Sequence, residues 1–135
     1  MTVLLDAIAS HLQTHGVGTV GVDLFKSLMP DTPDLCVAVH EYPGQPPAIG
    51  MGGGHIQFEM PRFQVVARAG RNGYVAARAK LMLARASLAE VADLTISGLR
   101  FLSIVSVDMP MPHGLDSSDR PTLGCNFAAY MEPES

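Results

Sequence analysis

The chain has 135 residues, of which 47% are hydrophobic and 16% charged, with a formal net charge of −4. That length suits one average domain, the hydrophobic share excludes wholesale disorder, and the acidic balance argues against a dedicated nucleic-acid binder. No apolar run reaches ~18 residues, and two cysteines, Cys36 and Cys125, are too few for a disulfide scaffold or a four-cysteine zinc site. The opening MTVLLDAIAS carries Asp6 inside its first apolar stretch and lacks a basic leader, so it does not read as a secretory signal. The expectation is a soluble, intracellular, single globular domain with no membrane association.

Residues 2–15 read as a short amphipathic helix. Thr2 is its candidate cap, Val3, Leu4, Ala7, Ile8, His11 and Leu12 recur at helical spacing, and Gly16 stops it. GTVGVDLF (18–25) has strand composition, and MPDTP (29–33) has turn chemistry, with two prolines around an aspartate. LCVAVHEY (35–42) alternates as a strand, placing Leu35, Val37 and Val39 on one face and Cys36, Ala38 and His40 on the other. Residues 43–55 hold three of the ten prolines and five of the thirteen glycines, which predicts a long loop or mobile arm.

Strand character returns from Ile56 to Ala69, with Phe63, Val65 and Ala67 opposed to Arg62, Gln64 and Arg68. Pro61 lacks a donor and predicts a strand start or an edge. After the turn GRNG (70–73), residues 74–94 predict the longest helix, with Ala77, Leu81, Ala84, Leu88 and Val91 facing the sheet. Arg78, Lys80, Arg85, Glu90 and Asp93 then fall outside or along the rim. Residues 95–107 predict a strand pair or bent strand broken at Gly98, 108–121 a second long loop, and 122–131 a final strand. The pattern is an α+β fold, a mostly antiparallel sheet packed against two helices in the order α-β-β-β-α-β-β, with no internal repeat.

Charge is unevenly spread. Between Met60 and Ala89 stand six cations (Arg62, Arg68, Arg71, Arg78, Lys80, Arg85) and no acid. The remainder has three cations against thirteen acids, a balance of −10. Such segregation fits a solvated face or head-to-tail contact between identical subunits, and the sequence does not choose.

Catalytic and metal motifs are incomplete. Gly50, Gly52, Gly53 and Gly54 precede His55, Ile56 and Gln57, without the lysine and hydroxyl that a phosphate loop needs. His11 and His15 share a helical face, but Leu12 stands where a zincin-type pattern needs glutamate; a third ligand would have to come from His40, His55 or His113. Cys125, at period two with Phe127 and Ala129, reads as a buried thiol, and closeness to Cys36 would require their strands to pair. Asp116 and Asp119 in LDSSDRP offer too few ligands for a calcium loop and read as turn caps, with Arg120 as a local partner. PGQPP (43–47) is too short and glycine-flanked for a polyproline ligand. No catalytic, metal or cofactor site is expected.

Two stretches are informative together. Phe63-Gln64-Val65-Val66-Ala67-Arg68 leads through a turn into a helix opening Tyr74-Val75-Ala76-Ala77. Pro112-His113-Gly114-Leu115-Asp116 runs through Asp119-Arg120-Pro121 to Asn126-Phe127. With the order of elements, these resemble the siphophage tail terminator or minor capsid proteins (head–tail joining, tail completion), across nearly the whole chain. The resemblance implies a structural, non-enzymatic virion protein. It would be made in the host bacterial cytoplasm and act as a hexameric ring at the head-proximal end of the tail, capping the tail tube protein and meeting the head–tail connector.

Interface candidates on this reading are Arg62, Arg68, Arg71, Arg78, Arg85, Asp116, Asp119 and Arg120, with loops 43–55 and 108–121 toward tube or connector. Two other classes stay open: a small-molecule-binding module or enzyme, favoured by a deep polar pocket collecting His40, His55 and Cys125, and a nucleic-acid accessory protein, favoured if the six cations form one exposed stripe. No specific nucleic-acid binding is expected on the terminator reading.

Overall fold

The computed structural model describes residues 3–49 and 56–132, with side chains described at 3–42 and 58–132. Thr2, the glycines at 50 and 52–54, and His55 lie outside the described residues. Two helices, α1 (Leu4–Thr14) and α2 (Tyr74–Ala89), pack on a sheet of seven strands: β1 (Leu24–Lys26), β2 (Cys36–Ile49), β3 (Ile56–Arg68), β4 (Ala92–Ile96), β5 (Leu99–Ser106), β6 (Met111–Leu115) and β7 (Pro121–Met131). The strand order is β1-β2-β3-β7-β5-β4, with β6 also paired to β7. Every pairing is antiparallel except the parallel β1–β2 edge.

The helix-facing side of the sheet follows the expected alternation. Val37, Val39, Phe63, Val65, Ala67, Leu123, Cys125, Phe127 and Ala129 form the core with Leu81, Ala84 and Leu88 of α2. Helix α2 lies over β3, β5 and β7, while α1 touches both β1 and β4, the two ends of the strand order. The sheet therefore curls around the helices, as accumulated strand twist dictates.

Several local expectations are corrected. Residues 19–22 are not strand: Val22 N and Asp23 N donate to Thr19 O, Asp23 Oδ1 accepts from Thr19 N at 2.6 Å, and Gly21 takes φ +86°. The aspartate-closed turn and glycine's left-handed backbone override the β-branched residues there. Strand β2 runs on through Pro43, Pro46 and Pro47 to Ile49, where a loop was expected. Its ladder to β3 slips between Tyr42 and Gln45 and again between Gln45 and Ala48, so the prolines sit where pairing is skipped. Pro61 lies inside β3 and not at its start, at a position paired to neither neighbour.

Helix α2 stops at Ala89, five residues before the expected end. Val91 still reaches the core, and Ala92–Ile96 turn back as a hairpin with β5 through Ser97 and Gly98, both at positive φ. Such a two-residue turn matches the right-handed twist of the strands it joins. The expected loop 108–121 contains β6, an edge strand on one side of β7 only, which is why Pro112 is tolerated. Cys36 and Cys125 do not approach through strand pairing: β3 separates their strands, and both thiols are free and buried.

Helix α1 follows an extended Val3 at its N-cap, with no side-chain cap. It is fixed to α2 by His11, whose Nε2 donates to Ser87 O at 2.9 Å. The His15 ring lies 4.1 Å from that of His11 and donates from Nδ1 to His11 O; its Nε2 is 3.8 Å from Glu90. Burial pushes the His11 pKa below the ordinary histidine value; nearby His15 adds to this, while the Ser87 bond and Glu90 oppose it. The unfolded chain thus takes up a proton near pH 6.5 before the folded one does, so protons favour unfolding. The denaturant midpoint is expected to hold above pH 7 and to fall as the pH drops below about 6.5, with a slope of at most about 1.4 kcal/mol per pH unit from this group. His11→Gln should flatten that slope in parallel urea titrations.

Candidate interaction surfaces

Two arginines of the sequence motifs are held inside the fold. Arg68, at the end of β3, is buried and donates to four carbonyls of the loop after β1: Pro30, Pro33 and Asp31 from Nη2 at 2.7, 2.8 and 3.3 Å, and Asp34 from Nε at 3.2 Å. Arg120, just before β7, is also buried and meets three carboxylates: Asp116 (2.8 Å), Asp31 (3.0 Å) and Asp34 (3.2 Å). Its neighbours hold its charged form in place and push its pKa up against the desolvation that opposes it. Asp116 closes the turn, accepting at Oδ1 from Ser118 N and Arg120 N, and these bonds hold its carboxyl below the ordinary range. The two guanidinium groups thereby tie residues 30–34 to the ends of β3 and β7. The turn-cap reading of Asp116 matches these bonds.

The other cations are dispersed. Arg62 is half-buried on the sheet face away from α2, Arg71 pairs at the surface with Asp119 at 3.2 Å, and Lys80 donates to Val17 O. Arg85 Nε donates to Ser106 Oγ at 3.1 Å, and Arg78 makes no hydrogen bond or ion pair among the described residues. The six cations do not form one exposed stripe, because Arg68 is buried and Arg62 faces away from the helix.

The enzyme reading finds no convergence of groups. His40 stands in the row His40–Gln64–Asn126 and Cys125 in the row Val39–Val65–Cys125, on opposite faces of the sheet, while His55 is outside the described residues. Burial pushes the Cys125 thiol up in pKa, away from the thiolate a nucleophile needs; its sulfur lies 3.5 Å from Ser106 Oγ and 3.3 Å from Asp108 O. Asp108 itself accepts from both the backbone N and Nδ2 of Asn126, whose Oδ1 accepts from Gln64. A cleft of about 650 Å³ between Arg71, Asn72, Tyr74 and Leu115, Asp119, Pro121 contains an ion pair already closed on itself. Among the described residues no three His, Cys, Asp or Glu side chains are placed to hold a metal.

What the molecule does present is an apolar outer surface on α2. Ala77, Leu81, Ala84 and Leu88 face the core, yet Val75, Ala79, Met82, Leu83 and Ala86 recur on the opposite side of the helix, about 180° away at ~100° per residue. A helix of a single domain normally carries one apolar stripe and a polar opposite face, and α2 carries two apolar stripes. Arg78 and Arg85 flank this stripe, and α2 carries no acid. The face that meets the sheet is the one expected from the sequence, Ala77, Leu81, Ala84 and Leu88; the second apolar face opposite it was not singled out.

Residues 11–132 match the family described as "Bacteriophage tail terminator protein". The chain belongs to that family. A solved chain from the "Virion of native gene transfer agent (GTA) particle" shares its fold, with a TM-score of 0.66 and 18% identity over 96% of this chain and 95% of that one. No curated protein matches in sequence. As a tail terminator the chain is a structural, non-enzymatic component of the phage virion tail.

Proposed function

We propose that this tail terminator assembles as a homo-hexameric ring at the head-proximal end of the tail, capping the tail tube protein and offering its other face to the head–tail connector. The observation that carries the reading is the outer face of α2, apolar along its centre and cationic along its flank, on a chain whose remaining residues are strongly acidic. Rings require heterologous contacts that close by rotation, and charge segregation within one chain supplies complementary patches for such contacts. The sheet edge at β6 and residues 107–110, where Val107, Met109, Met111 and Leu115 are exposed, is assigned to the tube or connector. Synthesis in the host bacterial cytoplasm goes with this role.

Arg78→Glu with Arg85→Glu tests the reading. Neither side chain is part of the core, so far-UV circular dichroism and the melting profile should change little. Native mass of the variant, alone and on tail tubes, should shift from ring to monomer. Unchanged assembly rejects the charged subunit contact, and a wild-type chain that stays monomeric on tubes rejects the ring.

A further inference from the structure

We infer that the outer face of α2 seats on one particular surface of the next copy, the groove along β1, with Val75 as the inserted residue. This rests on the ring reading and specifies its subunit contact.

Val75, in the first turn of α2, heads the apolar stripe and is 79% exposed, the most exposed of the large hydrophobic side chains described. The groove is about 320 Å³ and is lined by Val20, Gly21, Leu24, Phe25, Leu28 and Pro30. It runs beside β1, which pairs with β2 on one side and is bridged at Leu24 to Val20 on the other, and Leu28 in its lining is 74% exposed. Residues 19–21 bond the backbone of Leu24 on that side, so what the groove offers a partner is apolar side chains.

Charge selects a second copy as the occupant. Beyond Pro30 the rim continues into Asp31 and Asp34, whose side chains are 86% and 62% exposed although both touch Arg120. With Asp23 and Asp116, these make four carboxylates against the two buried guanidinium groups of Arg68 and Arg120, a surplus of two negative charges. Lys26, the cation at the groove, is already paired with Asp6 at 2.6 Å. The α2 stripe has the opposite character: apolar, with Arg78 and Arg85 alongside and no acid on the helix. Socket and stripe are different surfaces of one molecule, so the contact is head-to-tail and can propagate around a ring. Arg78 and Arg85 of one copy then face Asp31 and Asp34 of the next.

Cysteine pairing tests this with the full chain. Val75→Cys and Leu28→Cys alter exposed positions, and Cys36 and Cys125 are buried, so the introduced thiols are the accessible ones. Mild oxidation with diamide, at high concentration and on tail tubes, should convert the double variant into a ladder of covalent multimers that collapses on reduction. Mixing the two single variants should stop at the covalent dimer. A native-mass ring that forms no such links overturns the inference while leaving the ring standing, as do covalent dimers from Val75→Cys alone, which would mean that two α2 helices meet each other. A chain monomeric under both conditions removes the ring reading and this contact with it.

Discussion

Truncating Phe127 to alanine is expected to cost about 4 kcal/mol, within the usual range for a large aromatic removed from a core. Phe127 is fully buried in β7, and its ring stacks on Phe63 of β3 with centroids 5.4 Å apart and planes 14° from parallel. The two residues are cross-strand partners, so the contact is part of the pairing register itself. Strand β7 also bears β5 and β6 on its other side, which leaves little freedom for the sheet to collapse into the vacated space. Against a total stability of ~5–15 kcal/mol, the variant should lose a large share of its folding free energy. Urea denaturation gives the comparison, and Phe127→Leu, which keeps most of the volume, should lose under ~1.5 kcal/mol. Equal losses for the two variants would show that the cavity is not what destabilises.

Arg68→Leu is expected to cost about 3 kcal/mol and to lower Tm by on the order of 10 °C. The guanidinium satisfies carbonyls of Pro30, Asp31, Pro33 and Asp34 from one buried position, and leucine satisfies none. The cost stays below the full penalty for four lost bonds because residues 31–34 are exposed, so water can take up part of the loss. Arg68→Lys should recover little, since a compact ammonium lacks the planar fork that reaches four acceptors at once. Limited proteolysis should cut between Pro30 and Asp34 in this variant sooner than in the wild type. If the loop stays protected in Arg68→Leu, Arg120 alone is its anchor. Because that loop borders the β1 groove, the same variant should also weaken assembly.

Much of the fold was legible in the chain itself. Alternation at Phe63, Val65 and Ala67 placed one face of β3 in the core, and the run of Ala77, Leu81, Ala84 and Leu88 placed one face of α2 there, because side-chain period follows directly from backbone geometry. Cys125 read as a buried thiol for the same reason. The fold family was legible in the strand-to-helix segment at 63–77 and in the segment at 112–127 that carries Asp116, Asp119, Arg120 and Pro121.

Tertiary structure decided the rest. Composition marked residues 43–49 as loop, yet pairing with β3 holds them in a strand, since a neighbouring ladder tolerates prolines wherever it slips. Arg68 and Arg120 looked like surface cations available to a partner. Their burial became apparent only once the loop at 30–34 was seen lying across the ends of β3 and β7, from elements 34 to 89 residues apart in sequence. A charge pattern records how many cations a segment holds. Whether each one meets solvent, a carbonyl or a neighbour is set by distances that local sequence does not encode.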